Sequence, residues 1–220
     1  MPIKKKRYLI AALAVGYSLL SSAWAERADK DHSIHQQEHS TTHEDHSMHK
    51  SVLEKRDFFV TRRDYAVPEV SLLDANSNEI ALSELLALGE PLALNFIFTT
   101  CNTICPVMTA TFAQMRRELN SEERSRLKII SISIDPEYDR PDVLKSYSEL
   151  FEIDDTWTLL TGKSEDINRV LRSFDAFSGS KMNHQPVTLL RAVEGNTWIR
   201  VDGLTSGKEL AEMVKEYVFE

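Results

Sequence analysis

Positive charge is in deficit in this chain of 220 residues, where 26 Lys and Arg stand against 34 Asp and Glu for a formal net charge of −8. Phosphate-rich partners are held by clustered Lys and Arg, so the balance argues against nucleic acid and anionic lipid as ligands. Cysteine is scarce: Cys101 and Cys105 are the only two, which allows one disulfide at most. Histidine outside one short stretch is reduced to a single residue, His184. A closed zinc site wants four protein ligands, and two Cys with one His supply only three. The apolar run Tyr8 to Leu20 is short as well, approaching only the lower limit of ~17 residues for a membrane span.

That run nevertheless fixes the compartment. Lys4, Lys5, Lys6 and Arg7 precede it, and Ser21-Ser22-Ala23-Trp24-Ala25 follows, which is the charged region, apolar region and Ala-x-Ala site of a secretory signal. Cleavage after Ala25 is the favoured reading, with a retained inner-membrane anchor as the alternative. In either case the rest of the chain lies outside the cytoplasm, in the periplasm. Removing residues 1–25 takes away four positive charges and no acidic ones, leaving about 195 residues at a net charge of about −12, enough for one domain and a tail.

The tail is residues 26–57. It holds six of the seven histidines, His32, His35, His39, His43, His46 and His49, among Asp, Glu, Ser, Thr and Gln. Nothing there can build a core, so the segment reads as disordered. Asp31-His32-Ser33-Ile34-His35 and Asp45-His46-Ser47-Met48-His49 form a short repeat. Neutral imidazoles at this density are suited to capturing or buffering copper(II), zinc or nickel as a secondary metal site.

From residue 58 to 220 the texture is that of a globular domain. Tyr65 to Leu73 predicts a strand, Asn76-Ser77-Asn78 a turn and Ile80 to Leu82 the return of an N-terminal hairpin. Ser83 to Leu88 predicts a short helix stopped by Gly89. Leu92 to Phe98 is nearly all apolar, as expected of a strand buried on both faces. Val107 to Leu119 follows as a helix with Pro106 at its first position, then Leu127 to Ile134 as a second buried strand. Helices over Pro141 to Phe151 and Ser164 to Phe174 enclose a strand at Trp157 to Leu160. Val187 to Arg191 and Trp198 to Val201 predict a terminal hairpin, and Ser206-Gly207-Lys208-Glu209 a capping box opening the last helix. This alternation implies an α/β fold, a central mixed sheet with helices on both faces. The closing strand pair and helix fit a three-layer thioredoxin-like sandwich better than a doubly wound sheet.

Chemistry concentrates in Phe98-Thr99-Thr100-Cys101-Asn102-Thr103-Ile104-Cys105-Pro106-Val107-Met108. Both cysteines fall between a buried strand and the start of a helix, where unpaired N–H groups and the helix dipole favour anionic sulfur. The thiolate is both nucleophile and metal ligand. Three intervening residues permit a disulfide and equally permit both sulfurs to converge on one ion. Soft thiolates select copper(I) and zinc, and a three-ligand set completed by His184 suits copper(I) better. Asp135 before Pro136 suits a turn, Asp139 suits the cap of the next helix, and Met108 and Met182 suit core packing.

The cysteine segment, Ile130-Ser131-Ile132 with Asp135-Pro136-Glu137-Tyr138-Asp139-Arg140-Pro141, and His184 ahead of a late strand together resemble the SCO/SenC family over roughly Tyr65 to Phe219. The resemblance implies a thioredoxin-like fold, copper bound as Cu(I) or Cu(II) by Cys101, Cys105 and His184, and delivery to the copper centre of cytochrome c oxidase. The partner is then a copper-accepting oxidase subunit or another copper carrier, met by a monomer whose only membrane contact is an uncleaved N-terminal segment. Some members of the family are regarded as thiol-disulfide reductases, an alternative in which Cys101 and Cys105 are catalytic. A third alternative is a metal buffer dominated by the histidine tail. Two departures stand out. Asn183 replaces the Asp that commonly precedes the late histidine, and Thr188-Leu189-Leu190 fills a strand that commonly carries a Tyr-Leu pair. Pro186 is the second departure: His184-Gln185-Pro186-Val187 resembles the segment in which thioredoxins place a cis-proline opposite their cysteines. Although X–Pro bonds are trans by default, a cis Gln185–Pro186 bond whose neighbouring backbone receives an extended peptide thiol is the expectation here, and it would support the reductase alternative.

Overall fold

Two apolar runs make the middle of the sheet. The computed structural model describes residues 58–87, 89–193 and 197–219; the predicted signal or anchor, residues 1–25, and the histidine tail, residues 26–57, lie outside the described residues. The eight strands are β1 (Phe58–Asp64), β2 (Ser71–Asp74), β3 (Glu79–Ala81), β4 (Leu92–Ile97), β5 (Lys128–Ser133), β6 (Trp157–Thr161), β7 (Val187–Arg191) and β8 (Thr197–Gly203). They form one sheet in the order β1-β8-β7-β4-β5-β6-β2-β3. The centre, β4-β5-β6, is parallel. The flanks are antiparallel, so the sheet is mixed, as expected.

All six side chains of β4 are buried. Alternation along it feeds two cores: Ala93 and Ile97 point into one, Leu92, Leu94 and Phe96 into the other, which is the period-two rule for a strand covered on both faces. The first core is closed by α2 (Ile104–Glu118), α4 (Pro141–Leu150) and α6 (Gly207–Val214, continued as a wider π turn over Lys215–Phe219) through Phe112, Met115, Leu144, Tyr147 and Leu210. The second is closed by α1 (Leu82–Leu85) and α5 (Ser164–Ser173) through Leu82, Ile167, Val170 and Leu171. A further short helix, α3 (Ser121–Arg126), opens on an Asn120/Glu123 capping box and buries nothing, so it carries no apolar periodicity for a sequence reading to find. The Ser206/Glu209 capping box is present as predicted. Among the described residues no helix is long and apolar enough to cross a membrane.

The predicted strand over Tyr65 to Leu73 is shorter than expected, since only Ser71 onward pairs. Pro68 has no N–H to give to a ladder, and it biases Val67 towards unpaired extended backbone. The hairpin at 71–81 is otherwise in place. The unpredicted strand is β1, on the sheet edge, where only Phe58 is buried and the alternation that marks a strand is missing. The helix expected over Ser83 to Leu88 is a single turn, Leu82–Leu85.

Candidate functional site

Three chain segments meet at the C-terminal end of β4 and β5. The first runs from β4 through Thr99 to Thr103 into α2, the second is the 135–139 turn after β5, and the third is the approach to β7. Because β7 runs antiparallel to β4 with Thr188 opposite Asn95, the residues just before β7 lie beside the end of β4. This topology carries His184 to the same end of the sheet as the cysteines.

Helix α2 begins at Ile104, three residues earlier than predicted, so Cys105 sits in its first turn and Pro106 is the third helical residue. No N–H in that turn has an intrahelical acceptor, so proline is tolerated there. The free Cys105 N–H donates to Cys101 Sγ at 3.5 Å. Thr103, the residue capping the helix, makes no side-chain bond to the helix; its hydroxyl lies 3.6 Å from Cys101 Sγ instead. The helix terminus is thus directed at one sulfur.

Both cysteines are unbridged and buried, yet their surroundings split them. Burial pushes the Cys101 thiol up, but the Cys105 and Thr103 backbone N–H groups, the Thr103 hydroxyl and the Cys105 thiol outweigh it and hold Cys101 down at about 7. Burial pushes Cys105 up to about 12, with the neighbouring Cys101 and Asp139 adding to the rise against a hydrogen bond at the Phe98 backbone. The expectation that both sulfurs favour the thiolate is therefore corrected. The N-terminal cysteine collects the donors of the helix end, and the second cysteine, inside that turn, has the core around it.

His184 is buried, its Nε2 3.3 Å from the Phe96 carbonyl oxygen and its ring edge-on to the Phe96 ring at 6.3 Å. Burial lowers its pKa, partly offset by the Phe96 contact. Phe96 faces the second core, whereas Cys101 and Cys105 belong to the first. Among the described residues no three His, Cys, Asp or Glu side chains are grouped to hold one ion. The structure thus brings the two cysteines together and leaves the imidazole engaged elsewhere, lining a cleft of about 420 Å³ with Asp135, Leu171, Ala176 and Lys181. Lys181, three residues before His184, pairs with Asp135 at the end of β5 and lies over the Phe98 ring.

The expected cis-proline is absent: no cis peptide bond occurs among the described residues, so Gln185–Pro186 is trans. Pro186 precedes β7 by one residue, a place where a fixed φ and a missing N–H cost nothing in the trans form. Met108 is buried in the core, as expected, whereas Met182 is 76% exposed, because its short 3-10 turn, Lys181–Asn183, buries no residue. Asp135 makes the expected turn, its carbonyl accepting from Tyr138 and Asp139 N–H at 3.0 and 2.8 Å. Asp139 does not cap α4; Arg140 stands at the N-cap ahead of Pro141 and makes no side-chain capping bond. The Asp139 carboxylate turns inward and accepts from Thr99 N–H at 3.0 Å and Ser133 Oγ at 2.6 Å, and from the Thr99 hydroxyl. The contact spans forty residues, so no local pattern announces it.

A mixed sheet sandwiched by helices, with a paired-cysteine loop between a central strand and a helix N-terminus, defines a thioredoxin-like protein. Within that class the SCO1/SenC family model matches residues 61–219, and the chain belongs to this family. It is 36% identical over 115 residues to the SCO1 protein homolog of Bacillus subtilis, covering 51% of this chain and 58% of that protein. It is 30% identical over 126 residues to a Stutzerimonas stutzeri protein named for copper binding, covering 56% and 58%. The matches thus span less than two thirds of either relative. Among solved structures, BsSco, described as a cytochrome c oxidase assembly protein of the Sco family with a disulfide switch, superposes with a TM-score of 0.59 at 30% identity over 71% of this chain and 95% of that one. Copper-bound ScoI of Bradyrhizobium japonicum shares the fold at a TM-score of 0.56 and 24% identity, over 70% of this chain and all of that one.

Proposed function

We propose that the protein is a periplasmic copper metallochaperone that binds copper through Cys101 and Cys105, takes His184 as third ligand once its loop turns, and delivers the ion to a respiratory oxidase copper centre. The observation that carries this reading is the paired sulfurs at the start of α2, one of them held down at about 7 by helix N–H groups. Two converging soft donors fit copper(I). The family's copper-binding relatives support the cargo, and BsSco's part in oxidase assembly supports the recipient. Tyr-free β7 and Asn183 do not alter the donor set.

The imidazole has to leave the Phe96 carbonyl first. Gly179, with φ of 74°, lies in the loop that leads to His184 and gives it a place to pivot. Copper(I) titration of the reduced protein tests the reading against Cys101→Ser, Cys105→Ser and His184→Ala. One tight equivalent is expected in the native protein, weakened at least about a hundredfold in each cysteine variant and about tenfold in the histidine variant. Native protein that fails to retain cuprous ion sinks the proposal.

A thiol-disulfide reductase is the second reading, favoured by one observation. Helix-end donors hold the Cys101 thiol down at about 7 while burial pushes Cys105 up, the polarity expected of an attacking and a resolving cysteine. The trans Gln185–Pro186 bond removes the peptide-docking argument that would have strengthened it. Copper binding that survives His184→Ala together with a strongly oxidising disulfide would favour this role. The histidine segment 26–57 we assign to secondary capture of copper(II) or zinc, upstream of the cysteine site.

A further inference from the structure

Asp139 is fully buried and faces no Lys or Arg partner among the described ion pairs. A buried carboxylate is tolerated only when donors satisfy it, and here the donors are Thr99 N–H, Thr99 Oγ1 and Ser133 Oγ. Its own backbone is fixed in turn, the N–H donating to Asp135 O at 2.8 Å. Asp139 lies one residue outside the N-cap of α4, which Arg140 occupies without a side-chain cap, and its carboxylate reaches across to the residue two before Cys101. Cys101 N–H is itself tied back to Phe98 O at 3.2 Å. The chain between β4 and α2 is therefore pinned at Thr99 and again at Cys101, which leaves little freedom in where the first sulfur sits relative to the second.

We propose that Asp139 is a positioning residue for the cysteine pair: by clamping Thr99 to the end of β5 it holds the loop in which the two sulfurs meet, and so sets the balance between dithiol and disulfide. This deepens the function proposed above and rests on its use of the cysteine pair, though not on copper. A clamped loop keeps the sulfurs within bonding reach, which favours the disulfide. Removing the carboxylate releases Thr99 and therefore moves the pair towards dithiol.

The test is a metal-free redox titration of the full chain in glutathione buffers, with thiols counted by maleimide mass shift. The reaction is protein dithiol plus oxidised glutathione giving protein disulfide plus two reduced glutathiones, a transfer of two electrons and two protons that forms the Cys101–Cys105 bond and breaks one glutathione disulfide. Asp139→Asn is expected to shift this equilibrium roughly tenfold towards dithiol, about 30 mV for a two-electron couple. Thr99→Val, which removes one hydroxyl donor and keeps the backbone one, is expected to shift it about threefold in the same direction. A folded Asp139→Asn with the native potential overturns the proposal, and so does a lowered melting temperature with an unmoved potential, which would assign Asp139 to the fold alone. If Asp139→Asn does not fold, Thr99→Val decides, and an unchanged equilibrium there is equally fatal. Failure of the native protein to bind copper(I) would remove the chaperone role and leave this result standing.

Discussion

Alkylation of the reduced protein with iodoacetamide at about pH 7 is expected to modify Cys101 and to spare Cys105. The thiolate is the reacting species. Cys101, held at about 7, is roughly half ionised at that pH, against about 3% for an ordinary thiol with a pKa of ~8.5. Cys105, pushed up to about 12 by burial first and by its neighbours after, carries on the order of one thiolate in 10⁵ molecules by the same relation. A thiolate of lower pKa is also a weaker nucleophile, with a Brønsted slope of ~0.45, so about two of the five decades are returned. That leaves a rate ratio of roughly 10³, and complete burial of Cys105, against 8% exposure for Cys101, can only widen it. Peptide mass mapping of quenched samples between about pH 5 and about pH 9 reads both rates. The Cys101 rate should climb to a bend near 7 and flatten above it, and the protein unfolded in urea should label both cysteines alike. A bend above ~8.5, the ordinary thiol value, or labelling of Cys105 within about tenfold of Cys101, would refute the claim that the start of α2 polarises the pair.

Arg191→Met tests a buried cation away from the site. The Arg191 guanidinium donates to Leu86 O at 2.7 Å and Ala87 O at 3.0 Å and lies over the Trp198 ring at 4.8 Å, so its loss leaves the buried Leu86 carbonyl without a donor. A destabilisation of about 2–3 kcal/mol in urea unfolding is expected, with the Cys101 alkylation profile unchanged; a loss under about 0.5 kcal/mol would show that the carbonyls find water. Deleting residues 26–57 should lower the copper(II) and zinc stoichiometry while one tight copper(I) equivalent remains, and unchanged stoichiometry would refute a capture role for the six histidines.

The parts of the fold that were legible in the sequence are those fixed by local periodicity. Leu92 to Ile97 and Lys128 to Ser133 announce doubly buried strands, and Ser206 with Glu209 announces a helix start within four residues. β1 stayed hidden because an edge strand with only Phe58 buried has no alternation to read, and the β-type residues on either side of Pro68 read as one strand although only Ser71 onward pairs. At the site, residue type and spacing singled out both cysteines and His184. Neither could give the direction of the imidazole, which depends on a contact between residues 184 and 96, nor the reach of Asp139 to Thr99.

That contact bears on the order of the copper-binding variants. An imidazole already buried, with Nε2 on a backbone carbonyl, surrenders a hydrogen bond worth about 1 kcal/mol net, and its packing besides, before it can meet an ion. The cysteines already lie side by side and surrender nothing comparable. The gain from His184 as a ligand is reduced by the cost of freeing it, as the affinity of any ligand falls with the population of the competent state. Removal of His184 should therefore cost less copper(I) affinity than removal of either sulfur. A His184→Ala loss as large as that of Cys101→Ser would mean that the imidazole is free in solution and that its seat against Phe96 is not the resting arrangement.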